Sequence, residues 1–193
     1  MGQIAYSDLP AAFTFAEAGH HGVSPRRLQR MLATGLVERI GRGLYRRTDE
    51  EPADYELIEI AVKADRATLC LLSALARHEL TDIIPSVHDI AVPRGAWQPV
   101  VSALVHWHKF DPATFDIGRD EIQLDATHVL GLYDAPRSIA DAFRLRHDIG
   151  PDIANEALRR WLRRSGKPSD LIRMTKSFPA ARPAILHALQ VLL

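Results

Sequence analysis

The stretch that most constrains this 193-residue chain is Ser24 to Arg47, SPRRLQRMLATGLVERIGRGLYRR. Ser24 is a favoured helix N-cap, and Pro25 at the first helical position loses nothing, because its missing N–H would have had no intrahelical partner. Leu28, Met31 and Leu32 recur at i, i+3 and i+4 and define an inward face. That spacing sends Arg26, Arg30, Ala33 and Thr34 outward, with Arg27 and Gln29 on the flanks. Gly35 ends the helix. LVERI, a GRG turn and LYRR then read as a two-stranded hairpin with Arg42 at its tip. Upstream, a short helical turn over Phe13 to Ala18 and the breaker GHHGV precede it, with at most a short helix before Pro10. Helix, tight turn, helix and hairpin follow one another in the order of a winged helix-turn-helix.

Charge sharpens that reading. The formal net charge is zero, which argues against a general polyanion binder, but the signs are segregated along the chain. Residues 1–48 hold seven arginines against Asp8, Glu17 and Glu38, a balance of +4. Asp49 to Pro136 is acidic, and Arg137 to Lys176 turns positive again, with ten Lys/Arg against five Asp/Glu. Such blocks suggest separate surfaces with separate partners. In a helix-turn-helix the second helix enters the major groove by its N-terminal residues. Arginine suits both base reading and phosphate contact there. Ser24, Arg26, Arg27, Gln29 and Arg30 are the candidates on the helix, and Arg39, Arg42, Arg46 and Arg47 those on the wing. The plainer alternative is a solvated arginine-rich face.

With 47% hydrophobic residues the remainder has ample material for a core. The acidic, proline-containing break Glu50 to Asp54 marks a linker and divides the chain into residues 1–52 and 53–193. Beyond it, Tyr55 to Ala64 and Ala67 to Leu80 have helical periodicity. VHDIAVP, ALVHWHKF, EIQLDA and HVLGLYDAP read as strands. The last third is helical: Ser138 with Asp141 three residues on gives a capping-box-like start, and Ile153, Ala157, Leu158, Trp161 and Leu162 form the stripe of a longer helix. The expected class is α+β, a winged helix-turn-helix followed by a mixed domain with a small sheet and several C-terminal helices.

Enzyme readings find little support. There is no GxxxxGK[ST], GxGxxG or GxSxG. His106 and His108 share a strand face, since side chains alternate with period 2, and with Asp111 they sketch a metal site. No accompanying helix motif supports it, and neither a metal nor a cofactor is expected. HELTD at His78 to Asp82 reads as a polar helix end. The single cysteine, Cys70, rules out an internal disulfide and a cysteine-based zinc site; within TLCLLSALA it reads as a small buried hydrophobe. No leader-like segment opens the chain, and no apolar run approaches the ~20 residues a membrane span needs. A cytoplasmic protein is expected.

The C-terminal basic run leaves two readings open. Arg137, Arg144 and Arg146, with Arg159, Arg160, Arg163 and Arg164 on the following helix, suit an acidic protein surface or an RNA backbone. Equally, they suit a solvated face favoured by the helix C-terminal dipole.

Taken together, FTFAEAGHHGVSPRRLQRMLATGLVERIGRGLYRR, the ATLCLLSALARHELTDIIPSVHDIAVPRG block, PRSIADAFRLRHDIGPDIANEALRRWLRRSG and DLIRMTKSFPAARPAILHAL resemble the AbiEi-type antitoxins of type IV toxin–antitoxin systems. RSIADAFRLR is the most distinctive piece. The resemblance implies an N-terminal domain that binds repeats in double-stranded promoter DNA and represses its own operon. It also implies a C-terminal domain that counteracts a nucleotidyltransferase-like toxin, directly or functionally, with Arg137 to Arg146 and Arg159 to Arg164 as candidates. Such a protein binds and does not catalyse. A winged-helix regulator with a C-terminal ligand-sensing domain is the alternative, and a cavity with convergent polar groups in that domain would favour it.

Overall fold

The computed structural model describes residues 6–49 and 54–192. It is α+β, with a three-stranded and a five-stranded sheet. Two compact units emerge: Met1–Asp65 with Pro99–Ala103 and Ile122–Leu130, and the remainder, Arg66–Gln98, Leu104–Glu121 and Gly131–Leu193. The first therefore continues past the acidic break, of which residues 50–53 lie outside the described residues.

In the first unit a 3-10 turn at Tyr6–Asp8 leads into β1 (Ala12–Thr14), α1 (Phe15–His20), α2 (Pro25–Ala33), β2 (Val37–Gly41), β3 (Leu44–Arg47) and α3 (Tyr55–Lys63). The helical turn expected from Phe13 begins two residues later. Thr14 caps it reciprocally: the Glu17 N–H donates to Thr14 Oγ1 at 3.2 Å and the Thr14 N–H to Glu17 Oε2 at 2.6 Å. Ala12 and Phe13 stay extended and pair with Arg46 and Tyr45 in an antiparallel sheet of order β1-β3-β2.

The start and end of α2 follow the sequence closely. Ser24 accepts from the Arg27 N–H at 3.3 Å, and Gly35 takes the left-handed conformation just beyond the helix, at φ 71°. Leu28 and Met31 pack with Phe13, Ala18, Val23 and Val37. On another side of the sheet Ala12 and Leu44 pack with Ile58 of α3, joined by Tyr55, Val62 and Leu124. The hairpin register slips between Arg39 and Gly41. A Cβ at Gly41 would lie 2.8 Å from Glu59 Oε1, so any larger residue would push against that carboxylate. Glu59 is itself fixed, accepting from the Ser102 N–H at 2.8 Å and from Lys63 Nζ at 2.6 Å.

The second unit holds β4 (Thr68–Leu69), β5 (His88–Pro93) and β6 (Val105–Phe110), with the first three residues of β7 (Arg119–Gln123) and the last three of β8 (Val129–Tyr133), the strand order being β6-β5-β4-β8-β7. β5 and β6 are parallel, as are β4 and β8, while β4 and β5 are antiparallel. The helices are α4 (Leu71–Arg77), α5 (Pro112–Phe115), α6 (Ala135–Arg144), α7 (Arg146–Ile149), α8 (Pro151–Arg163), α9 (Pro168–Met174) and α10 (Arg182–Leu192). Ile139, Phe143, Leu158, Trp161, Leu171 and Ile185 are at the centre of the helical core.

Two local expectations change. The helix foreseen from Ala67 starts at Leu71, because Thr68 and Leu69 form β4, paired with Ala91 and Ile90 on one side and with Gly131 and Leu132 on the other. And α6 is capped by Asp134, which accepts from the Arg137 N–H at 2.7 Å, with Pro136 in the first turn. Ser138 and Asp141, read as capping residues, lie buried inside the helix.

Candidate nucleic-acid interface

The outward face of α2 carries Ser24, Arg26, Gln29 and Arg30, all exposed, with Arg27 half-buried at its margin. Arg26 and Arg30 lie four residues apart and therefore on one side of the helix. Neither has an ionic partner among the described residues. A shallow hollow of about 520 Å³ borders them, walled by Tyr6, Arg27, Met31, Thr34 and Leu36. On the hairpin, Arg42 is exposed at the turn, and exposed Arg39 donates from Nε to the Gly41 carbonyl at 3.0 Å.

Two hairpin arginines sit elsewhere than a wing surface. Arg46 pairs through Nε with Glu38 and donates from Nη1 to the Tyr55 hydroxyl at 3.1 Å. Arg47 is 9% exposed. It donates to both Asp49 oxygens and from Nη1 to the Ser7 and Leu9 carbonyls at 3.2 and 3.0 Å. Its guanidinium lies 4.7 Å above the Tyr6 ring. Hydrogen bonding from Arg47 holds the Asp49 carboxyl down to about 2. Arg47 thus fastens the segment before β1 to the end of β3. The signal for it in the sequence is an acid two residues on, which a count of positive charge ignores.

The second unit redistributes the other basic residues. Arg137 is 0% exposed, the opposite of a surface patch. Its Nε donates to Asp141 at 2.8 Å, and its Nη1 to the carbonyls of Thr114 and Ile117 at 2.8 and 2.6 Å. The guanidinium lies 4.1 Å from the Tyr133 ring centre and 4.2 Å from that of Phe178. Arg144 shares Asp141 at 2.9 Å, and Arg146 donates to the Phe143 carbonyl at 3.0 Å. On α8, Arg159 and Arg160 each bond Glu156 at 2.7 Å, with Arg163 at 3.6 Å from it. Arg160 also pairs with Asp82, and Arg164 with Glu79 at 2.6 Å. The polar residues of HELTD thus supply acids to α8. Arg159, Arg163 and Arg164 remain exposed, on a face of mixed rather than uniformly positive charge.

His106 and His108 do share a strand face, but Asp111 does not join them. It caps α5, accepting from the Ala113 N–H at 2.9 Å. Asp89 of the neighbouring strand takes its place, 2.8 Å from His108 Nε2 and 3.6 Å from His106 Nδ1. The three side chains could hold an ion, their ligand atoms all lying within 4.8 Å of one another. Cys70 is fully buried, and burial pushes its thiol well above the usual range, which leaves it no thiolate chemistry. No helix among the described residues is long and apolar enough to cross a membrane.

No curated protein matches the chain. Residues 11–48, from just before β1 to just past the hairpin, match the family model described as "Transcriptional regulator, AbiEi antitoxin". The likeness to AbiEi antitoxins and transcriptional regulators therefore rests on this N-terminal module of α1, α2 and their three-stranded sheet.

Proposed function

We propose that the chain is the antitoxin of a type IV toxin–antitoxin system, repressing its own operon through the first unit and counteracting a nucleotidyltransferase-like toxin through the second. The observation that carries the DNA half is the pairing of Arg26, Gln29 and Arg30 on the open face of α2 with Arg42 at the adjoining turn. In a winged helix-turn-helix, α2 enters the major groove, where arginine reads guanine O6 and N7 and glutamine reads adenine. Arg39 and Arg42 contact the flanking phosphates. Arg46 and Arg47 act from behind, holding the hairpin and the N-terminal segment in place.

The toxin half rests on the family likeness and on the exposed Arg159, Arg163 and Arg164. Its mechanism is binding. The experiment co-expresses the adjacent toxin candidate with the full chain and with an Arg26→Ala/Arg30→Ala variant, scoring growth and promoter activity together. The variant should lose repression and keep rescue. Failure of the full chain to rescue would remove the antitoxin reading and leave a regulator.

A further inference from the structure

The parallel strands β5 and β6 end side by side, and a cavity of about 290 Å³ opens at their carboxyl ends. The carboxyl ends of neighbouring parallel strands are a recurrent place for ligands in α/β sheets. Arg94 follows β5 directly, its N–H donating to the Phe110 carbonyl at 2.7 Å. Lys109 lies at the end of β6. Arg137 and Arg144 line the cavity from α6, and Ser177 to Ala180 close it from the loop before α10.

The electrostatics of this cavity are one-sided. Arg94, Lys109, Arg137 and Arg144 line it with Asp111, and Asp141 pairs with the last two arginines. Four cations against two carboxylates leave a surplus of two positive charges. Arg94 and Lys109 are exposed and have no ionic partner among the described residues. Arg137, also in the lining, is fully buried against the Tyr133 and Phe178 rings, its Nη2 without a hydrogen-bond partner although the same guanidinium bonds one carboxylate and two carbonyls. An unsatisfied donor on a buried cation is costly. A dianion would answer the surplus charge, and guanidinium forks match phosphate oxygens well.

We propose that this cavity binds a small phosphorylated metabolite, its phosphate held by Arg94, Lys109 and Arg144 above the buried Arg137. The volume lies just below the usual range for small-molecule sites, about 300–1,000 Å³, so the organic part is compact and rests against Phe178 to Ala180. The site belongs to the second unit and does not depend on the DNA assignment; its occupancy would weigh toward the ligand-sensing regulator.

The test is calorimetric titration of the full chain with inorganic phosphate and with glycerol 3-phosphate, at ionic strength held constant with chloride. Saturable binding of both is expected, tighter for the ester. The Arg94→Ala/Lys109→Ala variant, altered only at exposed positions and retaining its melting temperature, should bind about ten-fold more weakly or worse. Absence of saturable binding, or a variant that binds like the parent, would overturn the site. An ester that binds no tighter than inorganic phosphate would overturn the metabolite in favour of the free ion.

Discussion

Arg47 grips Asp49 with two parallel hydrogen bonds, Nε to Oδ1 at 3.1 Å and Nη2 to Oδ2 at 2.8 Å. The fork-to-carboxylate geometry is the strongest form of this pairing. Here it closes a segment that would otherwise leave the Ser7 and Leu9 carbonyls without the Arg47 donor.

Replacing Arg47 by alanine should therefore destabilise the first unit by ~2–3 kcal/mol, through lost packing on Tyr6 and lost donors to those carbonyls. Lysine would not restore it, having no fork. Chemical denaturation of the full chain, followed by a probe in the first unit, checks this. The pair also sets an acid limit. The Asp49 carboxyl lies near 2 when folded, below its ordinary 3.8, so its contribution is complete above pH ~4 and is lost as pH falls toward ~2. In the Arg47→Ala variant that component of the acid sensitivity should shrink, leaving what the Tyr6 hydroxyl contributes at 2.8 Å from Asp49 Oδ1.

The two DNA contacts separate by salt dependence. Arg30→Ala should cost about 1–3 kcal/mol on the preferred promoter sequence and relax discrimination among sequences. Arg42→Ala should weaken all sequences alike and reduce the log–log salt slope by about 0.9. Fluorescence anisotropy over a salt series reads both, and parental behaviour in the two variants together would defeat the helix-in-groove assignment.

Asp141 faces the fully buried Arg137 from one turn away on α6. Asp141→Asn would leave an uncompensated internal cation, and the expected loss of stability is ~3–5 kcal/mol. Thermal unfolding should place the loss in the second unit, with promoter affinity unchanged below the transition.

For the Asp89–His106–His108 cluster the binding assignment makes a negative prediction. The double substitution His106→Ala/His108→Ala should alter neither promoter affinity nor toxin rescue. A marked loss of rescue would point instead to metal-assisted chemistry on the edge strand.

The elements around α2 were legible because each carries its own punctuation: Ser24 and Pro25 at the start, Gly35 at the end, and a glycine turn in the hairpin. β1 and β4 were not. Stretches of three and two residues are too short for a period to show, and their pairing comes from partners far along the chain. Arg47 and Arg137 illustrate the same limit for side chains. Positive charge reads as surface, yet both lie beside an acid at i+2 or i+4 and against aromatic rings that bury their planar faces. Asp89 escaped notice because only strand pairing brings it beside the histidines.

The first unit draws on three separate stretches of chain, the last ending at Leu130. Leu124 in its core and Ser102 against Glu59 are made long after α2. During synthesis the helix proposed to read DNA and its own core, Leu9 to Val37, leave the ribosome early, while Leu124, the far partner of the Ile58 cluster, emerges only when roughly two-thirds of the protein has been made. An interrupted message would thus yield a module whose α2 core is whole and whose α3 face, built on Ile58, lacks its later partner.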